Sequence, residues 1–149
     1  MGVLSKEVRT MRKLEDHFCF LMYVTSRAIQ RAYQPELAAQ TLTYPQYLVL
    51  VLLYEQPNLT VKAIGRWLDL STGTVTPLLK RMADEGLITR QRSQTDERQV
   101  SIQLTPTGTA KRLAISDLPE VLVEKGQLSP AEWTQLTQLV HKLMTNLKN

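Results

Sequence analysis

Cys19 is the one thiol in the 149 residues, and few other side chains are arranged for covalent chemistry. A thiol reacts through its thiolate, and forming the thiolate near neutral pH takes hydroxyl donors or a positive neighbour. Tyr23 stands four residues on, so on a helix it shares the face of Cys19. His17 would lie about 200° round the same helix and is not that neighbour. The other histidine, His141, is far off in sequence, so neither a nucleophile–base pair nor a metal shell is indicated. No catalytic residue, metal or cofactor is expected, and a one-cysteine peroxidase would lack its base and a recycling partner. Residue type alone favours a small buried hydrophobe at Cys19. A single cysteine cannot close an internal disulfide, which agrees with a cytoplasmic protein.

The second chemistry legible in the residues is the pairing of cations with phosphate. Net charge is +4 and the pI is near 9.3. Residues 60–112 hold nine Lys/Arg against five Asp/Glu, whereas the other 96 residues hold nine of each. The whole positive excess falls in one third of the chain, as a phosphate-contacting module requires, although a basic solvated face would look the same on charge alone. Apolar content of 43% with 21% charged residues fits one soluble domain, 1–149, with its own core. No apolar run reaches the roughly 20 residues of a bilayer-spanning helix, so no membrane partner is expected. The opening MGVLSKEVRTMRKLEDH is charged and lacks the apolar stretch of a secretory signal.

These residues must be positioned by a mainly α fold with a small β-hairpin. Leu14, Phe18, Leu21, Met22, Ile29 and Ala32 recur at three- and four-residue spacing and predict a helix from Met11 to about Gln34, stopped with the help of Pro35. Thr43-Tyr44-Pro45-Gln46 opens a second helix with a capping box, and its body YLVLVLLYE is apolar nearly all round, as a buried central helix would be. Thr60 caps a short helix carrying Ile64, Trp67 and Leu68 on one face. Leu70-Ser71-Thr72-Gly73 reads as a tight turn. Ser71 caps the following helix, which runs to about Glu85 with Val75, Leu78, Leu79 and Met82 inward and Gly86 as its stop. Alternation in Leu87–Arg92 and Val100–Leu104 predicts a hairpin with a charged tip. Thr105-Pro106 starts a helix running to about Asp117, where Pro119 interrupts. Ser129-Pro130-Ala131-Glu132 starts the last, with Trp133, Leu136, Leu139, Val140, Leu143 and Leu147 on one stripe.

Two short helices joined by a tight turn are common in any helical protein. Here the second presents Thr72, Thr74, Thr76, Lys80 and Arg81 outward. Hydroxyls near a helix N-terminus can bond phosphates or base edges, and small side chains let the backbone approach a groove floor. The hairpin follows at once with Arg90, Arg92 and Arg98, and Asp96 is close enough in sequence to brace Arg98. A recognition helix in the major groove with a wing arginine in the adjacent minor groove is the simplest use of this layout.

The run LTVKAIGRWLDLSTGTVTPLLKRMADEGLITRQRSQTDERQVSIQLTPTG resembles the core of the MarR family of bacterial transcription regulators. Its most specific pieces are TPLLKRM-x3-GLI and the DER wing tip followed by an alternating strand and LT-x-x-G. The likeness extends over roughly Leu14 to Asn149. It implies an obligate homodimer in which helices of residues 1–42 and 108–149 entwine with those of the partner. It also implies a winged helix-turn-helix lobe, residues 43–107, that each protomer offers to a pseudo-palindromic operator in double-stranded DNA. The apolar stripes of the terminal helices agree with such a dimer.

Within that family, HFCFLMYVTSRAIQRAY and LTYPQYL are similar to the organic-hydroperoxide-resistance regulators and related thiol-based regulators. The resemblance implies that Cys19 senses peroxide, that Tyr33 and Tyr44 hydrogen-bond to it from the other protomer, and that Tyr23 lies nearby. Helical geometry agrees, because Tyr33 lies about 40° round from Cys19 but roughly 21 Å along the axis. The two cannot touch within one straight helix, yet could meet if two first helices pack antiparallel across a dimer axis. The implied function is a repressor of an oxidative stress response that leaves its operator when organic hydroperoxide oxidises Cys19. With no second cysteine, the sulfenic acid would be capped by a low-molecular-weight thiol, cyclise or overoxidise. The alternative is a MarR-type repressor released by a small aromatic ligand between the dimer and DNA lobes, with Cys19 incidental.

Overall fold

A single 3-10 turn, Leu14–Asp16, leads into helix α1, Phe18–Ala39, in the computed structural model, which describes residues 13–96 and 98–148. The expected start at Met11 lies outside the described residues. The expected stop at Pro35 is overturned, because α1 runs through Pro35 to Ala39. Proline removes one amide donor and crowds the carbonyl four residues back. Tyr33 and Leu37, buried on either side, hold the turn against that penalty. The helix ends where its carbonyls find other donors. The Leu42 N–H returns to the Leu37 carbonyl at 2.9 Å, Thr41 takes φ 54°, and the Lys111 ammonium donates to the Gln40 carbonyl at 2.5 Å.

Helix α2, Tyr44–Glu55, begins with the expected capping box. Thr43 Oγ1 accepts the Gln46 N–H at 3.4 Å, and Gln46 Oε1 accepts the Thr43 N–H at 2.9 Å. Tyr47, Val49, Leu50, Leu52 and Leu53 are all buried, so α2 is the central helix its sequence requires. A two-residue strand β1, Leu59–Thr60, follows; it is too short to leave an alternation signal and was not anticipated. Thr60 then caps α3, Val61–Leu68, by accepting the Ala63 N–H at 3.1 Å.

The turn after α3 is made at Asp69, with φ 54°, and closed by the Leu70 N–H on the Gly65 carbonyl at 2.8 Å. A Cβ on Gly65 would come within 3.0 Å of the Leu70 carbonyl oxygen, so glycine is what lets the turn close. Helix α4, Thr72–Asp84, already contains Thr72 and Gly73, which corrects the turn expected over Leu70–Gly73. Ser71 takes the N-cap position but makes no capping bond; its hydroxyl lies 3.2 Å from that of Thr74. Val75, Leu79 and Met82 are buried as expected, whereas Leu78 is only half-buried. Gly86, at φ 72°, ends the helix.

Strands β2, Ile88–Arg92, and β3, Val100–Leu104, form the expected hairpin with Ile88 opposite Leu104 and Arg92 opposite Val100. β1 pairs with the other edge of β3, giving the antiparallel order β1-β3-β2. Buried Ile88 and Ile102 face the sheet into a core of Leu37, Leu50, Leu53, Ile64, Leu79 and Met82. Helix α5, Pro106–Ala114, is capped by Thr105 and stops short of the expected Asp117.

The chain divides after Ser116 into a second compact unit. There Pro119 opens a helix instead of only interrupting one: α6, Leu118–Gly126, carries it in its first turn, where no amide donor is needed. Helix α7, Pro130–Lys148, starts at the expected Ser129 cap, and the structure adds a box, in which the Glu132 carboxylate accepts both the N–H and the hydroxyl of Ser129 at 2.8 Å. Among the described residues no helix is long and apolar enough to cross a membrane. Leu14, Phe18, Leu21 and Met22 at the start of the chain, and Leu136, Leu139, Leu143 and Leu147 on α7, remain exposed.

Gly108 sits against the strand that leads into the hairpin, and a Cβ there would overlap the Leu87 carbonyl oxygen. Gly108→Ala is therefore expected to destabilise the fold by about 1–3 kcal/mol in urea unfolding. Gly73→Ala meets only the Ser71 hydroxyl at 3.9 Å and should unfold within about 0.5 kcal/mol of the parent or later. Equal losses at both glycines would refute this account.

Candidate functional site

Helix α4 buries one side and leaves two flanks outward. At about 100° per residue, Thr72, Thr76 and Lys80 line one flank, and Thr74 and Arg81 the other. All five side chains are exposed. The flanks differ in surroundings. Thr74 and Arg81 border a hollow of about 430 Å³ whose other walls include Pro45, Leu48, Leu68, Pro77 and Leu78. Thr72 borders a separate hollow of about 390 Å³ with Lys62, Arg66 and Ser71. Lys62 and Arg66 were missed from sequence, although their four-residue spacing on α3 places both cations on one face.

The hairpin tip is organised by two short side chains. The Ser93 hydroxyl accepts the N–H groups of Thr95 (3.2 Å) and Asp96 (3.3 Å), and the Ser93 N–H bonds the Gln99 carbonyl at 2.8 Å. Asp96 braces Arg98 through the backbone, accepting its N–H at 3.1 Å. The guanidinium of Arg98 has no ion pair among the described residues, and Arg90, Arg92 and Arg98 all face solvent. A cationic hairpin thus follows directly on α4, with Arg90 and Arg92 on β2 and Arg98 at its tip.

The tyrosines form a separate cluster. Tyr33 lies 6.3 Å from Tyr44 and 6.0 Å from Tyr47, and Tyr44 lies 5.9 Å from Tyr47, measured between ring centres. Tyr47 was missed from sequence; its position three residues after Tyr44, one turn along α2, was the available signal. Tyr33 is 5% exposed, and burial, then the neighbouring Tyr47 and Tyr44 hydroxyls, push its pKa up to about 12. Burial raises Tyr44 as well, and raises Tyr47 against the opposing Arg112 charge. All three therefore keep their protons near neutral pH and can donate hydrogen bonds.

Cys19 does not join that cluster within one chain. It is exposed near the start of α1, with Tyr23, 63% exposed, one turn further on. The Arg27 guanidinium lies over the Tyr23 ring, 5.7 Å from its centre. Five full turns separate Cys19 from Leu37, so both lie on one helix face. That face is buried by the chain's own core at Tyr33 and Leu37, and uncovered at Phe18, Cys19 and Met22. Among the described residues no group of His, Cys, Asp or Glu could hold a metal.

A helix-turn-helix followed at once by an arginine-bearing hairpin defines a winged-helix nucleic-acid-binding protein. Residues 42–100 match the MarR family. Over 135 residues the chain is 44% identical to the organic hydroperoxide resistance transcriptional regulator of Bacillus subtilis (strain 168), covering 91% of this chain and 92% of that one. The chain belongs to the MarR family and is a DNA-binding transcription regulator, as its sequence led us to expect; its relatives are regulators and not enzymes. Reduced AbfR bound to DNA is similar in structure, with a TM-score of 0.74, 32% identity, and 99% and 100% of the two chains covered. Overoxidised AbfR bound to DNA is similar too, at 0.72 and 33%, covering 97% and 99%. AbfR is a protein of Staphylococcus epidermidis.

The folded pKa of Tyr33 lies above its unfolded value near 10, so its contribution to stability is complete below pH 10 and is lost as pH rises through 12. In an alkaline titration followed by phenolate absorbance, Tyr33→Phe should remove the last ionisation step. It should also flatten the fall in stability between pH 10 and 12. Loss of an ordinary step near 10 would contradict the burial argument.

Proposed function

We propose that the chain is a thiol-switched repressor, a homodimer that holds a pseudo-palindromic operator until organic hydroperoxide oxidises Cys19. The observation that carries this is the face of α1, which its own chain covers at Tyr33 and Leu37 but leaves open around Cys19. A second copy packed antiparallel would cover Phe18, Cys19 and Met22 and bring the thiol to the Tyr33–Tyr44 pair of its partner. Residues 1–42 and 108–149 then serve as the dimer lobe, and 43–107 as the DNA lobe.

In the DNA complex Thr72, Thr76 and Lys80, with Thr74 and Arg81 on the second flank, meet the major groove. Arg90, Arg92 and Arg98 follow the wing into the adjacent backbone and minor groove, and Asp96 shapes the tip. On oxidation the Cys19 thiolate attacks a hydroperoxide oxygen. The O–O bond breaks, the sulfur gains an S–O bond and loses two electrons, and the organic fragment takes a proton and leaves as the alcohol. A low-molecular-weight thiol can then condense with the sulfenic acid, forming a mixed disulfide and releasing water. AbfR is found on DNA both reduced and overoxidised, so the releasing species proposed here is the sulfenic acid or its thiol-capped form.

A second reading has its own support. The 430 Å³ hollow beside Thr74 and Arg81 has largely apolar walls and one cation, which suits a small aromatic acid. Cys19 would then be incidental, and calorimetry with phenolic acids on Cys19→Ser protein would reveal it.

The test uses the tightest duplex recovered from a random-sequence library. Cys19→Ser should bind it like the parent. Cumene hydroperoxide should weaken the parent about tenfold or more and leave the variant unchanged. Release of the variant by the same treatment sinks the thiol switch. Arg98→Ala should weaken binding by about 1–3 kcal/mol if it enters the minor groove, and an unchanged gel shift would remove it from the interface.

A further inference from the structure

Gln46 is the one polar side chain buried in the core among the described residues, 1% exposed, and both ends of its amide are held. Its Oε1 accepts the Thr43 N–H at 2.9 Å, and its Nε2 donates to Glu85 Oε2 at 2.8 Å. Glu85 closes α4, and the two residues after it are tied to the root of the wing. The Gly86 carbonyl accepts the Thr105 hydroxyl at 2.6 Å, and the Leu87 carbonyl accepts the Thr105 N–H at 3.1 Å. On the other side, Tyr44 follows Thr43 directly and packs on Tyr33 and Tyr47. One amide therefore stands between the tyrosine cluster and the point where the recognition helix turns into the wing.

We infer that Gln46 and Glu85 are positioning residues that carry a displacement of Tyr44 to the α4–wing junction. The inference rests on the thiol-switch reading for its trigger, though not for its geometry. A buried amide cannot exchange its partners for water. If Thr43 and Tyr44 shift, Gln46 either draws Glu85 with it or leaves a polar atom unpaired in the core, and the second outcome is the less favourable. The junction has room to respond, since nothing lies within 4 Å of the Cβ direction at Gly86. A helix end and a strand start that move together would re-aim both DNA-contacting parts of the lobe.

The test is a double-mutant cycle on reduced, full-length protein and the selected duplex. Tyr44→Ala and Glu85→Ala are measured singly and together. If one link joins the two sites, the double variant should bind about three- to tenfold more tightly than the product of the single effects. Independence within about twofold overturns the inference. Glu85→Gln keeps an acceptor for Gln46 and should restore the parental response to Tyr44→Ala, which a purely structural loss at this exposed position would not do. Tyr44→Leu replaces Tyr44→Ala if the latter fails to fold. In a second arm, cumene hydroperoxide should change the Kd of Glu85→Ala about fivefold less than that of the parent, at equal oxidation of Cys19 by mass. A parent protein that keeps its duplex after Cys19 is oxidised sinks the thiol switch alone, because the cycle is read without oxidant.

Discussion

Every helix end leaves backbone donors or acceptors without partners inside the helix, and a chain built from short helices has many such ends. Satisfying them is the constraint on which this structure depends. Thr43, Thr60, Thr105 and Ser129 each close an N-terminus with a hydroxyl, a contribution of about 1 kcal/mol apiece. Lys111 closes the end of α1 from seventy residues away. Gln46 serves the start of α2 and reaches the end of α4 with the same amide. The caps therefore do more than finish helices. They fix where α1, α2 and α4 meet, and so where the outer face of α4 points.

Local chemistry of this kind is what a single sequence displays most clearly. The Thr43 box, the Ser129 cap, the Gly86 stop and the alternation of β2 and β3 were all legible, because each needs only neighbours within four residues. What escaped was set by distant partners or by too little length. Pro35 looked like a stop, since the burial of Tyr33 and Leu37 that carries α1 through it is tertiary. β1 has two residues, too few for a period. Pro119 was read as a break when its place in a first turn made it a beginning. Ser71 was read as a cap, yet its hydroxyl turns to Thr74.

The candidate site was legible to a similar degree, with the same physical limit. The basic third of the chain and its hydroxyl-rich helix announced a DNA-facing surface, and the family match and the DNA complexes of a relative place the chain among such regulators. Two cations on α3, Lys62 and Arg66, and the third ring of the tyrosine cluster emerged only with the packing. Cys19 and Tyr33 share a helix but not a location, a point that spacing alone had settled.

The exposed apolar residues give the remaining step its direction. Phe18, Leu21 and Met22 on α1 and Leu136, Leu139 and Leu147 on α7 are large, and several recur on single faces. Isolated exposed leucines need no explanation, but a run of them along a helix face marks a surface that excludes water in the working protein. A winged helix by itself offers too few contacts for useful specificity, and pairing two of them fixes the spacing of two half-sites. If the same apolar faces make that pair, then the thiol lies in the surface that sets the spacing, and the tyrosines that keep their protons lie opposite it. On the proposed thiol-switch reading, chemistry at Cys19 need not touch the DNA itself: a change in how two copies meet would alter the spacing of the lobes, and the Tyr44–Gln46–Glu85 link would alter their aim.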